Sequence, residues 1–134
     1  MNEVRLTVHR ATSQIGGNCI ELATSGHRIL LDVGRPLDAP NDATGLLPAT
    51  LDLKAAMGGV IISHPHQDHY GLLEETPRDW PVICGEPTKR LMQLTSGIFG
   101  KPINQPNDGP EFFCCVGGPI ERRGENLAKY GYGF

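Results

Sequence analysis

The sequence predicts an α/β fold in which a mainly antiparallel or mixed sheet carries flanking helices. Three observations predict it. Val4 to His9 alternates apolar and polar residues with period two, as a half-buried strand does, and further strand-like runs follow at once. Val60-Ile61-Ile62 is a short, continuously apolar run of the kind shown by a strand buried on both faces. Glu86 to Phe99 repeats Leu91, Leu94 and Ile98 at helical spacing, with Pro87 in the first turn. Strands that come first as a meander and later alternate with helices imply a sheet with helices outside it.

The elements follow in order. Gly16-Gly17 marks a tight turn or a close backbone approach, and Asn18 to Ala23 supplies the second strand. The turn Thr24-Ser25-Gly26-His27 leads into Arg28 to Asp32, so the second and third strands form a hairpin. Residues 33–48 are loop, punctuated by Gly34, Pro36, Pro40, Asn41, Asp42, Gly45 and Pro48. Thr50 to Met57 is expected to form a short helix, with Thr50 as its N-cap and Gly58 as its stop. Gly71 to Glu75 is expected to make a helical turn or two before Pro77, and Pro81 to Cys84 another short strand. Beyond Gly100 no periodicity is sustained, and Pro102, Pro106, Gly109 and Pro110 interrupt what there is.

The 134 residues suit one modest domain, which buries roughly two-thirds of its unfolded surface. A formal net charge of −3 excludes a global basic field for nucleic acid, though not a local patch. The 17 Gly and 11 Pro predict many turns and long loops. No run approaches the ~18 apolar residues of a membrane span, and the opening residues lack an apolar signal-peptide core, so a cytoplasmic protein away from membranes is expected. Cys19 and Cys84 lie in apolar strand-like runs and Cys114-Cys115 are adjacent, without CxxC spacing, which reads as buried thiols. Gly16-Gly17 is no phosphate loop, since no GxxxxGK[ST] follows it. Arg122-Arg123, interrupted by Glu121 and Glu125, reads as solvated surface, as does Lys89-Arg90.

Chemistry concentrates in Ser63-His64-Pro65-His66-Gln67-Asp68-His69. Three of the five histidines and one carboxylate fall within six residues, directly after the apolar run. Imidazole nitrogen and carboxylate oxygen suit Zn²⁺, Mn²⁺ or Fe²⁺. In extended backbone His64 and His66 point to the same side and can grip one ion. Asp68 and His69, beyond a turn, are placed to hold a second. Two cations ~3.5–4 Å apart can clamp a substrate and activate a shared water, so metal-dependent hydrolysis is the expected chemistry.

Residues 64–69 match the HxHxDH motif of the metallo-β-lactamase-fold superfamily. Upstream, Ser13-Gln14-Ile15-Gly16-Gly17-Asn18-Cys19-Ile20-Glu21-Leu22 and Arg28-Ile29-Leu30-Leu31-Asp32-Val33-Gly34 resemble the opening of its RNA-processing branch, the β-CASP nucleases that include ribonuclease J. Val82 to Leu91 resembles that branch's next strand and helix. The resemblance covers residues 4 to about 101 and implies the amino-terminal part of an αββα fold. It implies that two divalent ions, Zn²⁺ foremost, are held by His64 and His66 and by Asp68 and His69. Asp68 would also position the attacking water, making it the catalytic residue, and Asp32 would support the loop from behind. RNA or single-stranded nucleic acid is the implied partner.

The chain departs from that pattern in one respect. The family completes its sites with two later histidines and a bridging aspartate, yet no histidine follows His69, and only Asp79 and Asp108 follow as aspartates. The expected organisation is a partial metallo-β-lactamase domain over residues 1–100 and an irregular tail over 101–134, from truncation or a frameshift. One sheet face and the Leu91/Leu94/Ile98 stripe would then be uncovered, favouring self-association or a completing subunit. The first expectation is an RNA-cleaving metal-dependent hydrolase, incomplete in this chain. The alternatives are hydrolysis of a small ester, thioester or lactone, and a non-catalytic remnant that binds metal weakly or associates with a partner.

Overall fold

A computed structural model of the protein describes residues 3–99 and 112–115. Six strands form one sheet in chain order: β1 (Arg5–Arg10), β2 (Cys19–Thr24), β3 (His27–Leu31), β4 (Gly59–Ile61), β5 (Val82–Gly85) and β6 (Phe112–Cys115). β1, β2 and β3 pair antiparallel, whereas β3 to β6 run parallel. Parallel neighbours need crossover connections, and here these are residues 32–58, 62–81 and the stretch containing α2 (Glu86–Phe99). The second crossover contains the single helical turn α1 (Gln67–Tyr70) and a 3₁₀ turn at Leu73–Glu75. Asp32 thus leaves the carboxyl end of β3, and Ser63 to His69 leave that of β4. In sheets with parallel strands, ligands gather outside those carboxyl ends.

The core lies on one face of the sheet. Register places Thr7, Glu21, Leu30, Val60 and Val82 in one cross-strand row. Leu30, Val60 and Val82 are fully buried against Leu51, Met57, Tyr70, Leu72, Leu73, Trp80 and Met92. Each such side chain contributes roughly 1.5–3 kcal/mol relative to leaving it exposed. The adjacent row, Val8, Ile20, Leu31, Ile61 and Ile83, is equally apolar but only partly covered. Val4, Leu6 and Val8 are 69%, 60% and 41% exposed. The alternation in β1 therefore marks a strand correctly, but its apolar side faces away from the described core.

Two further expectations need correction. Thr50 to Met57 is not helical. The Thr50 hydroxyl pairs with His9 Nδ1 at 2.8 Å instead of capping, and Asp52 Oδ1 accepts the amides of Lys54 and Ala55 in a local turn. α2 spans the residues the periodicity marks, but Met92 packs it on the core, while Leu91 and Leu94 are exposed. Ile98's side chain lies outside the described set. Within 101–134, residues 112–115 form β6, which extends the sheet beyond β5; the rest of that stretch lies outside the described residues.

A polar cluster closes the covered face near β1. Glu21 is buried and accepts a 2.6 Å bond from Arg28 Nη2, with His9 Nε2 3.4 Å away. Arg28 also donates to the carbonyls of Asp52 and Ala55, tying loop to sheet. Its hydrogen bond holds the Glu21 carboxyl below the ordinary range. A carboxylate with a depressed folded pKa contributes stability in full above its unfolded value, about 4.3, and loses it as pH falls further. The urea midpoint should therefore drop below about pH 4.3, less steeply in Glu21→Gln. That variant should be weaker at pH 7 by about 2 kcal/mol, because Arg28 loses its charged partner. A wild-type and variant pair with parallel pH profiles would show that Glu21 is not the responsible group. Burial also pushes the Cys19 thiol up to about 12, which fits an inert core thiol.

Candidate functional site

The site is built where β3 and β4 end. Asp32 adopts the left-handed conformation, φ +57, and its carboxylate turns toward the segment after β4. Oδ1 accepts the Ser63 amide at 2.8 Å; Oδ2 accepts the Ser63 hydroxyl at 2.8 Å and faces His69 Nδ1 at 2.7 Å. A carboxylate this close to Nδ1 favours that nitrogen as the donor. His66 is extended (φ −110, ψ 146), and α1 then carries Asp68 and His69. The imidazoles converge: the His64 ring lies 4.6 Å from that of His66 and 3.8 Å from that of His69, centre to centre. His64 Nε2 and His66 Nδ1 are 3.1 Å apart, and Asp68 Oδ2 is 3.3 Å from His69 Nε2.

The loop is anchored through its backbone as well. Asn18 N donates to Asp68 O (3.0 Å), Val33 N to His69 O (2.8 Å) and Arg35 N to Gln67 O (2.8 Å), while Leu72 N returns to Val33 O (3.0 Å). Gly34 sits where the strands meet; a Cβ there would fall on the carbonyl group of Asp68 and within 2.8 Å of Asn18 N. Gly16 and Gly17, at φ +80 and +70, turn the chain into β2 beside this loop. The five residues singled out in the sequence, Asp32, His64, His66, Asp68 and His69, are thus brought together. His9 lies apart, between Thr50 and Glu21. Two participants were not foreseen as such: Ser63, whose hydroxyl also lies 3.1 Å from His64 Nδ1, and Asn18, whose amide contacts the His69 ring. A hydroxyl next to the first histidine was a legible signal; a contact across 51 residues was not.

The donor chemistry fits borderline divalent ions, but the geometry stops short of a complete centre. A tight zinc site takes three or four protein ligands. Among the described residues no group of three or more His, Cys, Asp or Glu side chains is disposed to hold an ion. What exists is a cluster of imidazoles and carboxylates held in place by hydrogen bonds.

No protein-family profile matches the sequence. Curated proteins do. The chain is 37% identical over 92 residues to the RNase J-like protein of Methanocaldococcus jannaschii, covering 69% of this chain and 20% of that protein. It is 36% identical over 98 residues to transcription termination factor FttA of Methanothermobacter thermautotrophicus, covering 67% and 15%. The chain belongs to the metallo-β-lactamase-fold superfamily. Within this superfamily its relatives are of the β-CASP kind, and Integrator complex subunit 11 of Danio rerio matches 84% of the chain at 28% identity. The chain spans about a fifth or less of the length of these relatives. A solved Enterococcus faecalis protein of unknown function shares the fold, with a TM-score of 0.61 and 22% identity over 88% of this chain and 33% of its own. No described helix is long and apolar enough to cross a membrane.

Proposed function

We propose that this metallo-β-lactamase-fold chain contributes the histidine half of the site of a metal-dependent nuclease acting on RNA phosphodiesters. In this reading His64 and His66 are donors to one divalent ion and Asp68 and His69 to another, Asp68 also orients the attacking water, and Asp32 fixes His69. The observation that carries it is the convergence of three imidazoles and one carboxylate at the carboxyl ends of β3 and β4, in relatives named as RNase J-like. Zn²⁺ leads among the ions because the donors are mainly imidazole. The second reading, a scaffold without catalysis, is favoured because, among the described residues, no three of these side chains are disposed to hold one ion.

The test is cleavage of end-labelled single-stranded RNA by the intact protein, with bound metal measured after dialysis. Cleavage and metal should both fall, cleavage at least 1000-fold, in the double variant His64→Ala/His66→Ala. Undiminished cleavage in that variant would remove these histidines from the chemistry. Metal binding with hydrolysis of a lactone or thioester but not RNA would move the substrate class to small molecules. Neither metal nor hydrolysis in the wild type would establish the scaffold.

A further inference from the structure

We propose that Asn18 is a positioning residue for the histidine loop, its side-chain amide holding the His69 imidazole on Asp32. The geometry rests on two separate sets of contacts. Through its main chain Asn18 joins three segments: its N–H donates to Asp68 O at 3.0 Å, and its carbonyl accepts from Gly34 N at 2.8 Å. Through its side chain, Nδ2 stands 3.2 Å from His69 Nδ1 and 3.1 Å from Nε2. Near-equal distances to both ring nitrogens place the amide over the ring rather than at the tip of one lone pair. An N–H over an aromatic face is a weak attraction, but it restricts where the ring plane can lie. The Nδ1 edge of the ring is therefore held by Asp32 Oδ2 at 2.7 Å, with Ser63 Oγ 3.2 Å away, and Asn18 restrains the ring from above, while Nε2 stays directed at Asp68.

This arrangement explains why a polar residue immediately precedes β2 and its buried Cys19. It also makes the side chain separable from the main chain, because any substitution other than proline retains the two backbone bonds. The inference concerns the ring's placement and does not depend on whether the loop serves RNA cleavage.

The measurement is the His69 Nδ1–H proton in ¹H–¹⁵N spectra at a pH where the imidazoles are neutral. Such a proton is seen only while its hydrogen bond shields it from exchange with water. In the wild type it should be visible. In Asn18→Ala its exchange should be at least tenfold faster, broadening the signal away, with only a modest change in the urea midpoint. Leu51→Ala, a truncation in the core cluster, serves as the stability control and should keep the signal. Should Asn18→Ala fail to fold, Asn18→Ser, polar but too short to reach the ring, is read the same way. A signal that persists in the Asn18 variants, or vanishes equally in Leu51→Ala, overturns the proposal.

Discussion

Replacing Asp32 with Ala is expected to lower stability by roughly 3 kcal/mol, measured as the shift of a urea unfolding midpoint. Two losses combine. The carboxylate accepts the Ser63 amide and hydroxyl and faces His69 Nδ1, and charge-assisted bonds of this kind contribute more than neutral ones. Asp32 also occupies the left-handed region at φ +57, where a residue without a polar side chain costs about 1–2 kcal/mol. Partial solvent access at Ser63 limits the total, since water can satisfy its freed amide. Asp32→Asn separates the two effects. Asn tolerates the backbone and can still accept the Ser63 amide, so it should cost only about 1 kcal/mol. Its NH₂ would then face His69 Nδ1, forcing that nitrogen to accept and moving the ring proton to Nε2. A ¹⁵N spectrum of the neutral ring reads the tautomer directly. If Asp32→Asn leaves the proton on Nδ1, the carboxylate does not set the tautomer and Asp32 only braces the turn.

Much of this was legible because it is local. Period-two alternation and Gly/Pro punctuation mark β1, β2, β3 and β5, and helical spacing bounds α2 at Glu86–Phe99. The HxHxDH spacing marks four clustered side chains because extended backbone followed by one helical turn brings them together. What escaped depends on partners far along the chain. Thr50 looks like an N-cap until His9, 41 residues away, takes its hydroxyl. Leu91 and Leu94 form an apolar stripe, but which helix face meets the sheet is decided by how α2 leaves β5, and Met92 is the residue buried. β6 is four residues long in a stretch broken by Pro and Gly, so its pairing with β5 supplies what its own pattern lacks. In the site, Asp32 was legible from the family pattern, whereas the residues around it read only as a strand end. The approach of Asn18 to His69 gave no signal, because it is a contact across the fold rather than a spacing.

Gly34→Ala is expected to be the most disruptive single-methyl change in the described part of the chain, costing roughly 3 kcal/mol or more. The new Cβ would fall on the Asp68 carbonyl, so relief requires moving main chain rather than rotating a side chain. The segments that would have to part are those joined by Asn18 N to Asp68 O, Val33 N to His69 O and Arg35 N to Gln67 O. A steric effect in the strand end would thus be read out at the histidines: the visible Nδ1–H of His69 should be lost along with stability. Gly45→Ala distinguishes this from a generic glycine effect. Gly45 has φ +69 but nothing within 4 Å of an added Cβ, so only the backbone term applies, about 1–2 kcal/mol. Urea midpoints for the two variants would show whether contact or conformation dominates. If Gly34→Ala costs no more than Gly45→Ala and keeps the His69 signal, the approach of residue 34 to residue 68 is looser than the geometry requires. If it costs more and the signal goes, the tightness of that contact holds the histidine loop against the sheet.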